Sequence, residues 1–307
     1  MQRTLNALTR LALRLLFKPF IGSRLPVPLQ RRWLSLLTRS VLRAPGVEMQ
    51  ELGVGELRML RLRPQPAAGA PGAPAAEPQA IFYVHGGGFT LGGGTTYAGF
   101  ASWIAAVSGA DVYLPDYRLA PEHPYPAPID DLFAAYGTLL ELGPAPARVA
   151  IMGDSAGGAL AVSLTLVLAE MEVPAPAALV LISPFLDLSL SGPSVARNAR
   201  RDPMISRGFA EVGGRAHAGA LRRSDPRVSP LFADLAPLPP TLVQVGSDEI
   251  LLDDAMRFAD RAYAAGVDLE LQRFEGQFHD FQTGAATLEA AREALEDVAA
   301  FLRRRLG

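Results

Sequence analysis

A serine flanked by glycines is the residue of this chain best suited to nucleophilic chemistry. Residues 149–158 read VAIMGDSAGG and contain the pattern G-x-S-x-G, with Ser155 at its centre. A serine hydroxyl reacts well only when it is held toward a base and toward donors that stabilise an oxyanion. The apolar run before the motif predicts a buried strand, and ALAVSLTLVLAE after it predicts a buried helix. Gly153 and Gly157 permit a sharp turn between the two, so Ser155 is the candidate nucleophile.

A second glycine cluster lies upstream of this serine. Residues 81–89 read IFYVHGGGF, an apolar strand pattern that runs directly into three glycines. Glycines leave the backbone amides unshielded, so the N–H groups of Gly87 and Gly88, with that of Ala156, are the candidate oxyanion donors. A flexible hairpin tip is the alternative interpretation, and it is the one we prefer for the glycines at 92–94.

The base has to come from one of four histidines. In folds with this serine turn the nucleophile, the acid and the base follow one another along the chain, which requires a late histidine. His279 follows LELQRFEGQF, whose alternating pattern predicts the last strand, and it precedes a C-terminal helix. We therefore predict His279 as the base. His85 and His123 are predicted to be structural, and His217 falls in a polar helical region with no motif around it.

With these motifs, the chain resembles the hormone-sensitive-lipase-like carboxylesterases, bacterial family IV, of the α/β-hydrolase superfamily. The resemblance covers roughly residues 45–305 and rests on HGGGF (85–89), DYRLAPEHPYPAPIDD (116–131), GDSAGG (153–158), SDPRVSPLF (224–232) and FHDF (278–281). It implies a Ser-acid-His triad, a backbone oxyanion hole, no cofactor and no metal, and the hydrolysis of short- to medium-chain acyl esters. The family usually has glycine after the catalytic histidine, whereas this chain has Asp280.

The acid of the triad comes from the segment VGSDEILLDDA. The family pattern G-x-x-D-P-L-x-D-E, aligned without a gap from Gly246, places Glu249 on the acid. Asp248 would need a shift of one residue and is the alternative. Glutamate orients an imidazole as aspartate does, so we predict Glu249. Asp253 and Asp254 are expected to cap or solvate the next helix, where first-turn carboxylates suit the helix dipole.

The order of apolar segments predicts an α/β fold. Two early strands near 47–63 are followed by a Pro-, Ala- and Gly-rich loop, and strand patterns then alternate with helix-length segments at IFYV, VYLPDY, VAIMG, ALVLISP, TLVQVG and LELQRFE. This alternation predicts a mostly parallel sheet with helices on both faces. The resemblance adds a helical cap. The predicted organisation is N-terminal cap helices over 1–45 and a catalytic domain over 46–307, with a second cap segment near 190–225.

Some residues near the motifs are predicted from weaker signals. Phe89, Met204 and Phe209 are candidates for the acyl or alcohol pocket, with ordinary core packing as the alternative for each. Asp154 and Arg118 are expected to hold loops instead of reacting, and Glu122 is a candidate partner for Arg118.

The first 47 residues carry an unusual charge pattern. They contain no acid and nine bases: Arg3, Arg10, Arg14, Lys18, Arg24, Arg31, Arg32, Arg39 and Arg43. LNALTRLALRLLFKPF within them is amphipathic at helical spacing, and Arg10 and Arg14 argue against a signal peptide or a transmembrane helix. Two interpretations stay open: a cap helix over the site, and peripheral contact of residues 1–20 with an anionic membrane.

Composition restricts the function classes further. The net charge is −2 and there is no cysteine, so neither nucleic-acid binding nor thiol or zinc-finger chemistry is expected. We expect a cytoplasmic location with membrane association left open, a small-molecule ester as the partner, and a homodimer as a further open prediction. The competing functions are an amidase, lactonase or carbamate hydrolase with the same triad, and a ligand-binding protein on a hydrolase scaffold. The presence of both Ser155 and His279 argues against the last.

Overall fold

A computed structural model describes residues 2–22, 25–38, 41–65 and 79–306 of the chain. Most of the Pro-, Ala- and Gly-rich stretch predicted as a loop lies outside the described residues, as do Arg24 and Arg39.

One sheet of eight strands organises the described residues, in the order β1-β2-β4-β3-β5-β6-β7-β8. The β2 strand is antiparallel to both of its neighbours, and all pairings from β4 to β8 are parallel. The mostly parallel sheet predicted from the sequence is confirmed. The strands are β1 (Val47–Val54), β2 (Leu57–Pro64), β3 (Ala80–Val84), β4 (Asp111–Pro115), β5 (Val149–Asp154), β6 (Ala178–Ile182), β7 (Thr241–Gly246) and β8 (Leu269–Phe274).

Helices cover both faces of this sheet. They are α1 (Gln2–Ala12), α2 (Val27–Thr38), α3 (Gly94–Ser108), α4 (Ala127–Glu141), α5 (Ser155–Glu170), α6 (Ser194–Arg197), α7 (Arg207–Ala218), α8 (Leu252–Ala264) and α9 (Glu289–Leu306). A π-helical turn, Leu13–Phe17, continues α1, and short 3-10 turns lie at Pro146–Arg148, Pro230–Phe232 and Phe281–Gly284.

The central strands are buried on both sides, which explains their continuous apolar sequences. Along β3, Ile81 and Tyr83 face the apolar cluster formed with α3 and α9. Phe82 and Val84 face the cluster formed with α4, α5 and α8. Successive side chains of a strand point to opposite faces, so one short strand contributes to both halves of the core.

The segments predicted as a cap contact each other. The Lys18 ammonium donates to the carbonyl of Asp202 at 2.6 Å, and the Arg10 guanidinium donates to the carbonyl of Arg201 at 2.9 Å. The N-terminal helices are thereby attached to the segment before α7. The domain boundary at residue 45 stays a prediction. Within the ranges that the structure describes, no helix combines the length and the apolarity needed to cross a bilayer.

Two predictions about charged residues were wrong. Arg118 pairs with Asp131 of α4 at 2.6 Å, whereas Glu122 pairs with Arg31 of α2 at 2.7 Å. The Asp254 side chain is buried instead of solvated, and it accepts hydrogen bonds from the amides of Leu186 and Asp187. The partners of Glu122 and Asp254 come from distant parts of the chain, whereas Asp131 lies only 13 residues after Arg118.

Candidate active site

Ser155 lies at the turn between β5 and α5, in a conformation that side chains rarely adopt. Its φ is +50°, in the left-handed region. The turn is close-packed, because a Cβ on Gly157 would lie 2.1 Å from the carbonyl oxygen of Val84, and one on Gly153 would lie 2.4 Å from that of Gly157. Glycine is therefore required at both positions for steric reasons. The strand-turn-helix context predicted for the G-x-S-x-G motif is present.

Three side chains meet in a hydrogen-bonded row at the carboxyl ends of the strands. His279 Nε2 lies 2.9 Å from Ser155 Oγ, and His279 Nδ1 lies 3.0 Å from Glu249 Oε2. Glu249 follows β7 and His279 follows β8, so the parallel sheet brings together residues that are 124 and 30 positions apart. All three are buried. This geometry suits proton transfer from the serine to the imidazole.

Glu249 is held by two further donors. Its Oε1 accepts hydrogen bonds from the Ser183 hydroxyl at 2.7 Å and from the Gly246 amide at 2.5 Å. Burial raises the pKa of Glu249, while the bonds from His279, Gly246 and Ser183 oppose that rise. Ser183 also accepts from the Asp280 amide at 3.2 Å and thus joins Glu249 to the loop that carries His279. Sequence analysis missed Ser183, and its only signal is its place directly after β6.

The alternative acid points elsewhere. Asp248 Oδ2 pairs with the Arg10 guanidinium at 2.8 Å, which joins the N-terminal helix to the loop after β7. No described hydrogen bond connects Asp248 with His279. The geometry therefore favours Glu249 over Asp248.

The glycine loop lies directly beside the nucleophile. Gly87 and Gly88 have φ values of +109° and +60°, which glycine adopts without strain. A carboxylate oxygen of Asp154 accepts from the Gly86 amide at 2.9 Å, and the Tyr117 hydroxyl donates to the His85 carbonyl at 2.6 Å. Both contacts fix the loop, and for Asp154 this is the loop-holding role expected from the sequence.

The three predicted oxyanion donors are unused within the described part of the chain. No hydrogen bond there takes the amide hydrogens of Gly87 or Gly88. Ala156 lies in the first turn of α5, where amides have no acceptor inside the helix. The three amides are therefore free to bind an oxyanion near Ser155.

A cavity of about 320 Å³ opens onto Ser155 and His279. Its walls are mostly apolar and come largely from the N-terminal segment, which contributes residues from Thr9 to Val41. Met204 and Phe209, which were predicted as pocket residues, line it. Phe89 does not; it is buried and stacks on His217 with 4.2 Å between ring centroids. The backbone of Phe89 turns at φ +63°, which points its ring into the core.

Asp280 is a buried acid whose contact with the site the sequence did not reveal. Its Oδ2 lies 3.1 Å from His279 Nε2, and the residue lines the cavity beside Ser155. Burial lowers the pKa of His279, but the carboxylates of Asp280 and Glu249 more than offset this, so the pKa is raised well above its ordinary value. The signal in the sequence was an aspartate where the resembled family usually has glycine.

The other three histidines do not join the row of Ser155, His279 and Glu249. His85 and His217 are buried, and burial lowers their pKa values to about 4 and about 3, so both rings are neutral at pH 7. His123 is exposed, away from the site. Among the described residues, no group of three or more His, Asp or Glu side chains is placed to hold a metal ion.

Known proteins similar to this chain share both the sequence and the fold. A family described as having the alpha/beta hydrolase fold matches residues 81–283. An esterase of Acinetobacter venetianus is 41% identical over 79% of this chain and 82% of its own length. A carboxylesterase/phospholipase, LipF, of Mycobacterium tuberculosis is 32% identical over 96% of this chain and 80% of its own.

A crystal structure of an esterase from the bacterial hormone-sensitive lipase family superposes with a TM-score of 0.86, at 37% identity over 94% of this chain and 96% of that one. The predicted fold class and family are confirmed by these matches. The chain belongs to the hormone-sensitive-lipase-like carboxylesterases of the alpha/beta hydrolase family and is a carboxylic ester hydrolase.

Proposed function

We propose that Ser155, His279 and Glu249 hydrolyse the ester through an acyl-enzyme. The observation that carries this assignment is the hydrogen-bonded row of the three side chains at the end of an apolar cavity. His279 Nε2 lies 2.9 Å from Ser155 Oγ, and His279 Nδ1 lies 3.0 Å from Glu249 Oε2. In this row the imidazole is the base, and the glutamate orients it and compensates its positive charge.

The reaction proceeds in two halves. Ser155 Oγ attacks the ester carbonyl carbon while its proton passes to His279 Nε2. The resulting oxyanion accepts hydrogen bonds from the amides of Gly87, Gly88 and Ala156. The tetrahedral intermediate then collapses, and the alcohol leaves with the proton from Nε2. A water molecule repeats the sequence on the acyl-enzyme and releases the carboxylic acid. Each oxyanion donor contributes on the order of 3 kcal/mol to lowering the barrier.

The cavity supports short- to medium-chain acyl esters as substrates. Its volume of about 320 Å³ is at the small end of ligand pockets, which span about 300–1,000 Å³. Its walls include Leu13, Phe17, Leu34 and Phe209, which suit an aliphatic chain. The names of the relatives favour an ester over the amide, lactone and carbamate alternatives.

A p-nitrophenyl ester series from acetate to palmitate, with Ser155→Ala as the blank, tests these assignments. We expect turnover to fall in the variant by a factor of ~10⁴ or more, and to peak at a short or medium chain in the wild type. Turnover retained by Ser155→Ala would contradict the nucleophile. A peak at palmitate would contradict the chain length. Activity confined to matched amides or lactones would favour the alternative hydrolases.

We also propose that residues 1–20 contact an anionic membrane. Leu8, Leu11 and Leu15 of this segment are 57%, 51% and 60% exposed. Arg3 and Arg14 are exposed on the same segment and supply positive charge. An amphipathic helix of this kind gains free energy at a lipid surface from apolar burial and from charge attraction. Leu16, which lines the cavity and is half exposed, would bring the cavity opening toward the lipid.

Sedimentation with phosphatidylglycerol vesicles tests the contact. We expect the wild type to sediment with these vesicles and less with pure phosphatidylcholine. A variant with Leu8, Leu11 and Leu15 changed to serine should stay in the supernatant. A control in which the exposed Leu142 and Met171 are changed to serine should sediment like the wild type. Equal sedimentation of all three proteins would contradict the proposal. The cytoplasmic location and the homodimer stay predictions.

A further inference from the structure

Two acceptors compete for one nitrogen of the catalytic imidazole. Ser155 Oγ and Asp280 Oδ2 lie 2.9 and 3.1 Å from His279 Nε2. To act as base, Nε2 must be unprotonated and must accept the serine hydrogen. A carboxylate oxygen can lie at hydrogen-bond distance from Nε2 only if a proton lies between the two atoms, because without a proton both are acceptors. The contact to Asp280 therefore opposes the state in which His279 can act.

The position of Asp280 is defined by its backbone. Its φ and ψ are +52° and +34°, in the left-handed region that aspartate and asparagine tolerate. Its amide donates to the Ser183 hydroxyl at 3.2 Å, and the side chain is 4% exposed. The second carboxylate oxygen, Oδ1, is buried without a hydrogen-bond partner among the described residues. A buried carboxylate with so few donors gains most of its stabilisation from the imidazolium beside it.

Among the described residues, the basic side chains of the N-terminal segment that reach this region have other partners: Arg10 pairs with Asp248, and Lys18 donates to the carbonyl of Asp202. Glu249 contacts Nδ1. Burial raises the pKa of Asp202, in the segment before α7, and the charge of His279 opposes that rise. Tyr83, Tyr97 and Asp154 lie near Asp280; burial raises the pKa of each of them, and the negative charge of Asp280 adds to that rise. The imidazolium is therefore the cation that this cluster of acids and phenols surrounds.

We propose that Asp280 is a positioning residue that holds the proton of the catalytic base in the resting enzyme. Its carboxylate accepts the Nε2 hydrogen of the imidazolium and competes with Ser155 for that nitrogen. Activation requires this proton to leave to solvent, after which the Nε2 lone pair accepts the serine hydrogen. Ester hydrolysis therefore begins at a higher pH than it would with an uncharged residue at position 280. This inference depends on the proposed roles of Ser155 and His279.

The test is the pH dependence of kcat/KM for p-nitrophenyl butyrate in the wild type, Asp280→Asn and Asp280→Gly. Both replacements tolerate the backbone angles; the first keeps the shape, and the second removes the side chain. We expect the midpoint of the acid limb to fall by about one pH unit or more in both, which corresponds to a tenfold lower proton affinity. Asp248→Asn is the control, because Asp248 pairs with Arg10, and its midpoint should stay that of the wild type.

A second measurement separates this role from a structural one. In the Ser155→Ala background, the His279 ring is titrated by NMR with and without Asp280→Asn, and its midpoint should fall by a similar amount. Unchanged midpoints in both Asp280 variants would overturn the inference and leave the triad intact. Retained turnover in Ser155→Ala would instead contradict the proposed nucleophile. Loss of activity at every pH with a normal ring titration would also overturn it, because Asp280 would then maintain the loop and not the proton.

Discussion

The carboxyl end of the sheet and the N-terminal cap form the two sides of one cavity in different ways. At the sheet end, Ser155, His279 and Glu249 are buried and joined by short polar contacts. The cap contributes apolar side chains and is attached through a few long basic side chains, such as Lys18 and Arg10, that donate to backbone carbonyls. Several of its leucines are exposed.

This difference separates two kinds of control over the reaction. Positions at the sheet end are set by backbone geometry and by directional hydrogen bonds, so small changes there should alter the chemical step. The cap acts by shape and apolar area, which are non-directional and tolerate substitution. Changes in the cap should therefore alter which ester is preferred.

Glu249→Gln should have the largest effect, because glutamine can donate to Nδ1 and stabilise the wrong imidazole tautomer. We expect kcat for p-nitrophenyl butyrate to fall by about 10⁴ with little change in KM. Asp248→Asn is the matched control and should change kcat by less than about twofold, because Asp248 pairs with Arg10 and makes no described hydrogen bond to His279. Circular dichroism checks that both variants are folded. The reverse order of effects would assign the acid to Asp248.

Asp254→Asn should change how stability depends on pH at the sheet end. Burial raises the pKa of Asp254 to about 8, against ~3.9 in the unfolded chain. Between pH ~4 and ~8, Asp254 is therefore protonated in the folded protein and ionised in the unfolded chain. Its contribution to the free energy of unfolding falls as pH rises through this range.

Asparagine keeps an oxygen acceptor for the amides of Leu186 and Asp187 and removes this titration. Urea unfolding of both proteins at several pH values should show the variant gaining stability relative to the wild type by a few kcal/mol by pH 8. A constant difference between pH 4 and 8 would contradict the assignment of that pH dependence to Asp254.

Gly157→Ala should disturb the turn that carries the nucleophile. Its added Cβ would lie 2.1 Å from the Val84 carbonyl oxygen and 2.5 Å from that of His85, and neither backbone group can move freely. We expect a loss of about 1–3 kcal/mol in unfolding free energy and a lower kcat. Gly137→Ala in α4 is the control, since nothing lies within 4 Å of its Cβ, and it should gain up to ~1 kcal/mol. Equal behaviour of the two variants would show that the turn is not constrained.

Phe17→Ala in the cap should have the smallest effect and should alter preference instead of chemistry. The lost ring enlarges the cavity that Phe17 lines, so longer acyl chains should gain relative to acetate by about fivefold in kcat/KM, or ~1 kcal/mol. Leu36→Ala, on the exposed face of α2, is the control and should leave the preference unchanged. A large drop in kcat for p-nitrophenyl acetate would contradict the separation between cap and sheet end.

The chemistry-bearing motifs could be predicted because their physical requirements are local. A nucleophile at φ +50° needs small neighbours, and the order of strands and helices around Ser155 is visible in its apolar pattern. The central strands β3, β5, β6 and β7 were likewise predictable, since buried parallel strands have continuous apolar sequences. The base followed from its place after the last strand. In the structure, His279 lies within hydrogen-bond distance of Ser155.

Contacts between distant segments were not predictable. The sequence left two adjacent residues, Glu249 and Asp248, as candidates for the acid. The direction of the chain after β7 brings Glu249 to the imidazole of His279 and Asp248 to Arg10. Phe89 was a candidate for the pocket, with core packing as the alternative, and its backbone turns the ring toward His217. Side-chain direction in a loop depends on φ and ψ, which the residue type alone does not specify.

Residue types and their spacing were enough to predict the family, the α/β architecture and the candidate nucleophile and base, because a glycine-flanked serine between a strand and a helix is a local pattern. The tertiary structure decided the orientation of the acid, the walls of the cavity and the contact of Asp280 with Nε2. Those properties depend on distances between residues that are far apart in the chain. The contact of 3.1 Å between His279 Nε2 and Asp280 Oδ2 could not be predicted from the sequence either, although the two residues are adjacent. It depends on the left-handed backbone conformation of Asp280.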